Sequence, residues 1–119
     1  MSFDPTRVVF LHNPRCSKSR TVKSLLDERE VQYVERLYLE DPLSVEELAE
    51  LRHLLDRPAR EWIRSGEAAY AEAGLDAGAG EEAHLSAIAA HPILLERPIV
   101  VHGGEARVGR PPTAVLELL

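Results

Sequence analysis

The sequence predicts an α/β fold in which a mixed four-stranded sheet is built from a β-α-β unit, a run of inserted helices and a closing β-β-α unit. Three observations carry this. Short apolar and β-branched runs stand near both ends of the chain; the stretch from about 44 to 90 carries helical spacing with start and stop signals; and a Gly103-Gly104 pair sits between two short strand-like runs. A strand, helix and strand in succession imply a parallel pair, and a tight hairpin implies an antiparallel one, so the sheet is mixed.

Arg7-Val8-Val9-Phe10-Leu11-His12 has no breaker and ends at Asn13-Pro14, which reads as a buried strand followed by a turn. Val22, Leu25 and Leu26 then fall at helical spacing, so a helix begins at or just after Cys16. Val31 to Tyr38 partly alternates and closes the first unit as a second strand. Ser44-Val45-Glu46-Glu47 is a capping box, and Leu48, Leu51 and Leu55 give the helix it starts an apolar face. Pro58 suits the first turn of a further helix containing Trp62 and Ile63. Tyr70 belongs to a short helical stretch stopped by Gly74, a glycine-rich loop covers 76 to 80, and Glu81 to Ala90 forms another helix with Leu85, Ile88 and Ala89 on one side. Ile99 to His102, the two glycines and Glu105 to Val108 form a hairpin. Thr113 can cap a last helix carrying Val115, Leu116 and Leu119. This is the element order of a thioredoxin-like fold, one domain over residues 1 to 119 with a helical insertion at about 44 to 90.

Composition narrows the function. In 119 residues, 14 Lys plus Arg against 20 Asp plus Glu leave a net charge of -6, which opposes binding to nucleic acid or to a membrane surface, and any anion site must be a local cluster. Met-Ser-Phe-Asp-Pro lacks the charged start of a leader, and no run has the length of a membrane span, so the expected location is the cytoplasm. The single cysteine cannot form an internal disulfide, which fits a reducing compartment and leaves its thiol for an external partner.

That cysteine is the chemical focus. A lone cysteine is ordinarily a small buried hydrophobe, but Pro14-Arg15 before Cys16 and Ser17-Lys18-Ser19-Arg20 after it describe a polar, accessible loop. A helix N-terminus carries unpaired N–H groups and partial positive charge, so a cysteine placed there beside cations has its pKa lowered from about 8.5 to roughly 7 or below. His12 is either an orienting group for the thiolate or a structural hydrogen-bonding group, and Asn13 reads as the residue that holds the turn. His53, His84, His91 and His102 show no metal-ligand spacing. Position 22 is Val22, so the Cys-x5-Arg loop of phosphatases is absent, as are phosphate-cradling glycine motifs.

Three separated stretches resemble the glutaredoxin-coupled arsenate reductase family: His12-Asn13-Pro14-Arg15-Cys16-Ser17-Lys18-Ser19-Arg20, His91-Pro92-Ile93-Leu94-Leu95-Glu96-Arg97-Pro98-Ile99-Val100-Val101, and Ala106-Arg107-Val108-Gly109-Arg110-Pro111-Pro112. The resemblance implies a thioredoxin-like fold, Cys16 as nucleophile, Arg64, Arg97 and Arg110 as oxyanion ligands, and a cis Arg97-Pro98 bond facing the cysteine. It implies a chain that acts as a monomer, without bound cofactor or metal, on arsenate or a similar oxyanion, with glutathione as co-substrate and glutaredoxin as partner. Planar guanidinium groups remain charged at any working pH and donate paired hydrogen bonds, as a tetrahedral oxyanion requires. Proline restricts the residue before it, which fixes where the Arg97 and Arg110 side chains start. The chain departs from the founding members in Ser17-Lys18-Ser19 and in Gly109. Two other readings stay open: a monothiol oxidoreductase acting on glutathionylated proteins, and an RNA-polymerase-binding regulator of the same family. The redox-sensing regulators carry Cys-x-x-Cys, where this chain has Ser19.

Overall fold

A computed structural model describes residues 3 to 119, so the first two residues of the N-terminal stretch read above, Met1 and Ser2, lie outside the described residues. The elements are β1 (Val8–His12), α1 (Ser17–Glu28), β2 (Tyr33–Leu37), α2 (Val45–Leu55), α3 (Ala68–Glu72), α4 (Glu81–Ala90), β3 (Ile99–His102) and β4 (Glu105–Val108), with 3-10 turns at Ala59–Glu61, Pro92–Leu94 and Pro112–Leu118. They form the α/β, thioredoxin-like architecture expected. The sheet is mixed, in the order β2-β1-β3-β4. β1 pairs in parallel with β2 and antiparallel with β3, and β3 pairs antiparallel with β4.

Side-chain alternation in β1 builds the two halves of the core. Val9 and Leu11 join a large apolar layer with Leu48, Leu51, Trp62, Ile88 and Leu94, whereas Val8 and Phe10 join Val22, Leu26, Val100, Val115 and Leu118 on the other face. Every residue of β1 is therefore buried, while edge strand β2 is half open to solvent. The capping box forms as read: Glu47 N–H donates to Ser44 Oγ at 3.1 Å and Ser44 N–H donates to Glu47 Oε1 at 3.0 Å. Gly103 and Gly104 have φ of 61° and 81°, the paired positive values of the expected hairpin turn.

Two expectations are corrected. Pro58 opens one 3-10 turn, Ala59–Glu61, and not a helix containing Trp62 and Ile63. Trp62 is instead held by its indole N–H on Arg57 O at 2.9 Å, and Ile63 makes a bridge with Leu95. The closing segment is a 3-10 helix, Pro112–Leu118, preceded by Pro111, and Thr113 does not cap it. Three residues per turn set Val115 and Leu118 on one face, so Leu118 is buried and Leu119 exposed, the reverse of an α-helical reading.

Gly109 is fixed by packing. A Cβ there would sit 2.8 Å from both Pro98 Cγ and Val22 Cγ2. Gly109→Ala is expected to lower the unfolding free energy by about 1–3 kcal/mol through overpacking, measurable by chemical denaturation.

Candidate functional site

Sheet order decides which loops meet. The C-terminal ends of parallel β1 and β2 lie side by side, and antiparallel β3 starts at that same end. The turn after β1, Tyr38 after β2, Arg97-Pro98 before β3 and Gly109-Arg110 after β4 are therefore brought to one edge of the sheet.

The turn is built from its own polar groups. Asn13 O accepts from Cys16 N–H at 3.0 Å, Asn13 Oδ1 accepts from Arg15 N–H at 3.0 Å, and Asn13 N–H donates to Ser19 Oγ at 3.0 Å. Ser19 is fully buried, and its Oγ lies 2.6 Å from His12 Nδ1. His12 Nε2 lies 3.7 Å from Glu35 Oε1, an acceptor, so the ring proton belongs on Nε2 and Nδ1 accepts from the serine hydroxyl. Burial lowers the pKa of His12, partly offset by Glu35, so the ring is neutral. His12 thus meets Ser19, in the first turn of α1, through Nδ1 and faces Glu35 through Nε2.

Cys16 is the N-cap of α1 and half-buried, and its side chain makes no capping hydrogen bond. Burial alone would push its thiol up. The backbone N–H of Ser19, the Arg97 guanidinium and the backbone N–H of Lys18 outweigh that, so the pKa is lowered from the ordinary value and the thiolate is favoured. Arg15, Ser17 and Lys18 are exposed around it.

Of the three arginines, Arg97 is the one brought to Cys16. The Arg97-Pro98 bond is cis, as is the Arg110-Pro111 bond. Arg97 Nε and Nη1 are buried and have no hydrogen-bond partner among the described residues. Arg64 and Arg110 are brought to a carboxylate that sequence reasoning passed over. Glu96 Oε1 lies 3.3 Å from Arg64 Nη1 and 3.0 Å from Arg110 Nε, and accepts the Arg97 N–H at 3.2 Å. Glu67 also takes Arg64 Nε at 3.2 Å, and Arg97 O accepts from Arg110 Nε at 2.9 Å. Glu96 thus holds two guanidiniums, those of Arg64 and Arg110, and the backbone N–H of Arg97 on one carboxylate. Its place directly before Arg97 in the second family-like stretch was the available signal.

Tyr38 was the other omission. It is buried at the end of β2, and its hydroxyl has no partner among the described residues. Burial pushes its pKa up to about 12 against the influence of Arg97, so it stays protonated. Nothing in its sequence position marked it except that it follows the strand parallel to β1.

Among the described residues no cluster of three His, Cys, Asp or Glu is placed to hold a metal, and no helix is long and apolar enough to cross a membrane. The arrangement is a half-exposed thiol with lowered pKa at a helix N-terminus, one guanidinium beside it that no carboxylate engages, and two further guanidiniums held by a carboxylate at the same edge. It can bind an anion and attack it.

Comparison with known proteins agrees with the geometry. An Escherichia coli protein, YfgD, described as uncharacterized, is 46% identical over 115 residues, covering 95% of this chain and 97% of the relative. An arsenate reductase of Haemophilus influenzae is 40% identical over 114 residues, covering 94% and 98%. The solved structure of an arsenate reductase from Vibrio cholerae superimposes with a TM-score of 0.90 at 44% identity, covering 98% of this chain and all of that one. The sequence model of the ArsC family matches residues 11–118, and the chain belongs to that family.

Proposed function

We propose that this chain is an arsenate reductase that forms a covalent adduct on Cys16 and draws its electrons from glutathione and glutaredoxin. The observation that carries the proposal is a single thiol with lowered pKa beside the Arg97 guanidinium, two of whose nitrogens have no hydrogen-bond partner, in a chain of the ArsC family.

In the first step the Cys16 thiolate attacks arsenic of bound arsenate. An S–As bond forms, an As–O bond breaks, and oxygen leaves as hydroxide, which is released as water after protonation; arsenic stays pentavalent. Positive charge from Arg97, and from Arg64 and Arg110 once an oxyanion competes with Glu96, offsets the charge gathered at the centre. In the second step a glutathione thiolate attacks the Cys16 sulfur. An S–S bond forms and the S–As bond breaks with its electron pair on arsenic, which leaves as trivalent arsenite. A glutaredoxin thiol then takes the glutathionyl group and returns Cys16. The chain's one cysteine makes the outside thiol necessary, since no internal disulfide can close the cycle. A reaction fed by that thiol pool places the protein in the cytoplasm.

The test is arsenate-dependent NADPH consumption coupled through glutathione, glutaredoxin and glutathione reductase. A rate that saturates with arsenate and requires both thiol components is expected. Turnover of glutathionylated protein with no response to arsenate would replace this reading with the monothiol oxidoreductase.

A further inference from the structure

The edge that carries Cys16 holds three buried polar atoms with nothing to bond: Tyr38 Oη, Arg97 Nε and Arg97 Nη1. Tyr38 is 1% exposed and belongs to the larger apolar layer. Phenylalanine would fill the same space without leaving a hydroxyl unbonded, and buried polar groups are ordinarily paired. The orphaned atoms arrive from two sides. Tyr38 follows β2 and Arg97 precedes β3, and these are the two strands that flank β1 and the turn to Cys16. Guanidinium nitrogens only donate, and a protonated phenol has one hydrogen to give while its oxygen can accept from the Arg97 guanidinium that faces it, so donors outnumber acceptors in the cluster. Its complement is an anion with several oxygens.

We propose that Tyr38 is a substrate-binding residue whose hydroxyl, together with the free Arg97 nitrogens, receives oxygens of a tetrahedral oxyanion held beside Cys16. This rests on the reading of the chain as an oxyanion reductase and adds the donor that the three arginines do not supply. Tyr38 and Arg97 each lie close enough to Cys16 to alter its electrostatics, so an anion touching both is within reach of the sulfur. The guanidiniums of Arg64 and Arg110 are engaged by the Glu96 carboxylate, whereas Arg97 and Tyr38 face Cys16 and each other with no carboxylate to compete with an arriving oxyanion. The phenol differs from the guanidiniums in adding no charge; it selects for an acceptor oxygen at one place.

The experiment measures how much arsenate or inorganic phosphate protects Cys16 from iodoacetamide in wild-type chain and in Tyr38→Phe, with thiolate absorbance against pH and thermal unfolding recorded for both. Wild type is expected to be protected. Tyr38→Phe should need roughly ten- to a hundredfold more oxyanion, the loss of one hydrogen bond to a charged acceptor, while its thiolate titration and unfolding midpoint do not fall. Equal protection in the two chains would overturn the assignment of Tyr38 and leave the reductase reading standing. Failure of either oxyanion to protect wild type would remove both. If Tyr38→Phe does not fold, the tyrosine difference spectrum of wild type on adding arsenate decides: a red shift supports the new hydrogen bond, and a flat spectrum rejects it.

Discussion

Cys16→Ser is expected to abolish arsenate-dependent turnover and, at the same time, to make the fold slightly more stable. A serine hydroxyl is not ionised near neutral pH, so the S–As adduct has no counterpart, and loss of a nucleophile of this kind costs roughly a thousandfold or more in rate. The second half follows from where Cys16 sits. It is the N-cap of α1, and its side chain makes no capping hydrogen bond. Serine is among the preferred N-cap residues, and its oxygen accepts more strongly than sulfur from the first-turn N–H groups of Lys18 and Ser19, which face the thiol without forming a capping hydrogen bond; capping of this kind is worth about 0.5–2 kcal/mol. Coupled assay and denaturant unfolding on the same preparation check both parts. Retained turnover would rule out the mechanism, and a large loss of stability would show that the sulfur packs more than it caps.

Arg97→Ala is expected to produce the second-largest effect, through two separable routes. It removes a positive charge beside Cys16, so the thiol pKa rises and the pH at which alkylation reaches half its plateau moves up. It also removes the unpaired donors at the site, and kcat/KM for arsenate should fall by roughly a hundredfold to a thousandfold, the usual cost of deleting a donor to a developing oxyanion. Arg97→Lys separates the routes. It keeps the charge and should restore most of the pKa, but a point-charge ammonium lacks the planar fork, so the catalytic loss should persist. Stability should change little in either variant, because Arg97 Nε and Nη1 are buried without a hydrogen-bond partner and their removal offsets the lost interactions with Cys16 and Tyr38.

The outline of the molecule was legible because most of its elements obey local rules. β1 is continuous because both its faces are buried, α2 announces itself by Ser44 and Glu47, and the β3-β4 turn by Gly103-Gly104. The misread segments are those where a non-local contact or proline overrides local pattern. Trp62 and Ile63 look helical but are placed by Arg57 O and by the bridge to Leu95. The last segment has a helical apolar pattern, yet the chain tightens to three residues per turn and buries Val115 and Leu118 against the sheet in place of Leu119. In the site, Cys16 and Arg97 stood in recognisable stretches. Tyr38 stood in no such stretch, and Glu96 stood beside Arg97 with nothing but its position to mark it, because the relevance of both comes from strand register. The pairing of His12 with Leu37 carries Tyr38 to the thiol edge, and the start of β3 carries Glu96 to the guanidiniums.

The convergence of five separate stretches at one sheet edge also governs how the site comes into being. Residues 12 to 19, Tyr38, Arg64, Glu96 with Arg97, and Arg110 are distant along the chain, so their meeting requires that long loops be closed and their entropy lost before any chemistry is possible. No fragment ending before β4 contains Arg110, and none starting at or after α1 contains the thiol. Nucleophile and anion receptor are therefore completed together by the cooperative folding transition, and a nascent or partly unfolded chain exposes a cysteine of ordinary, sluggish reactivity.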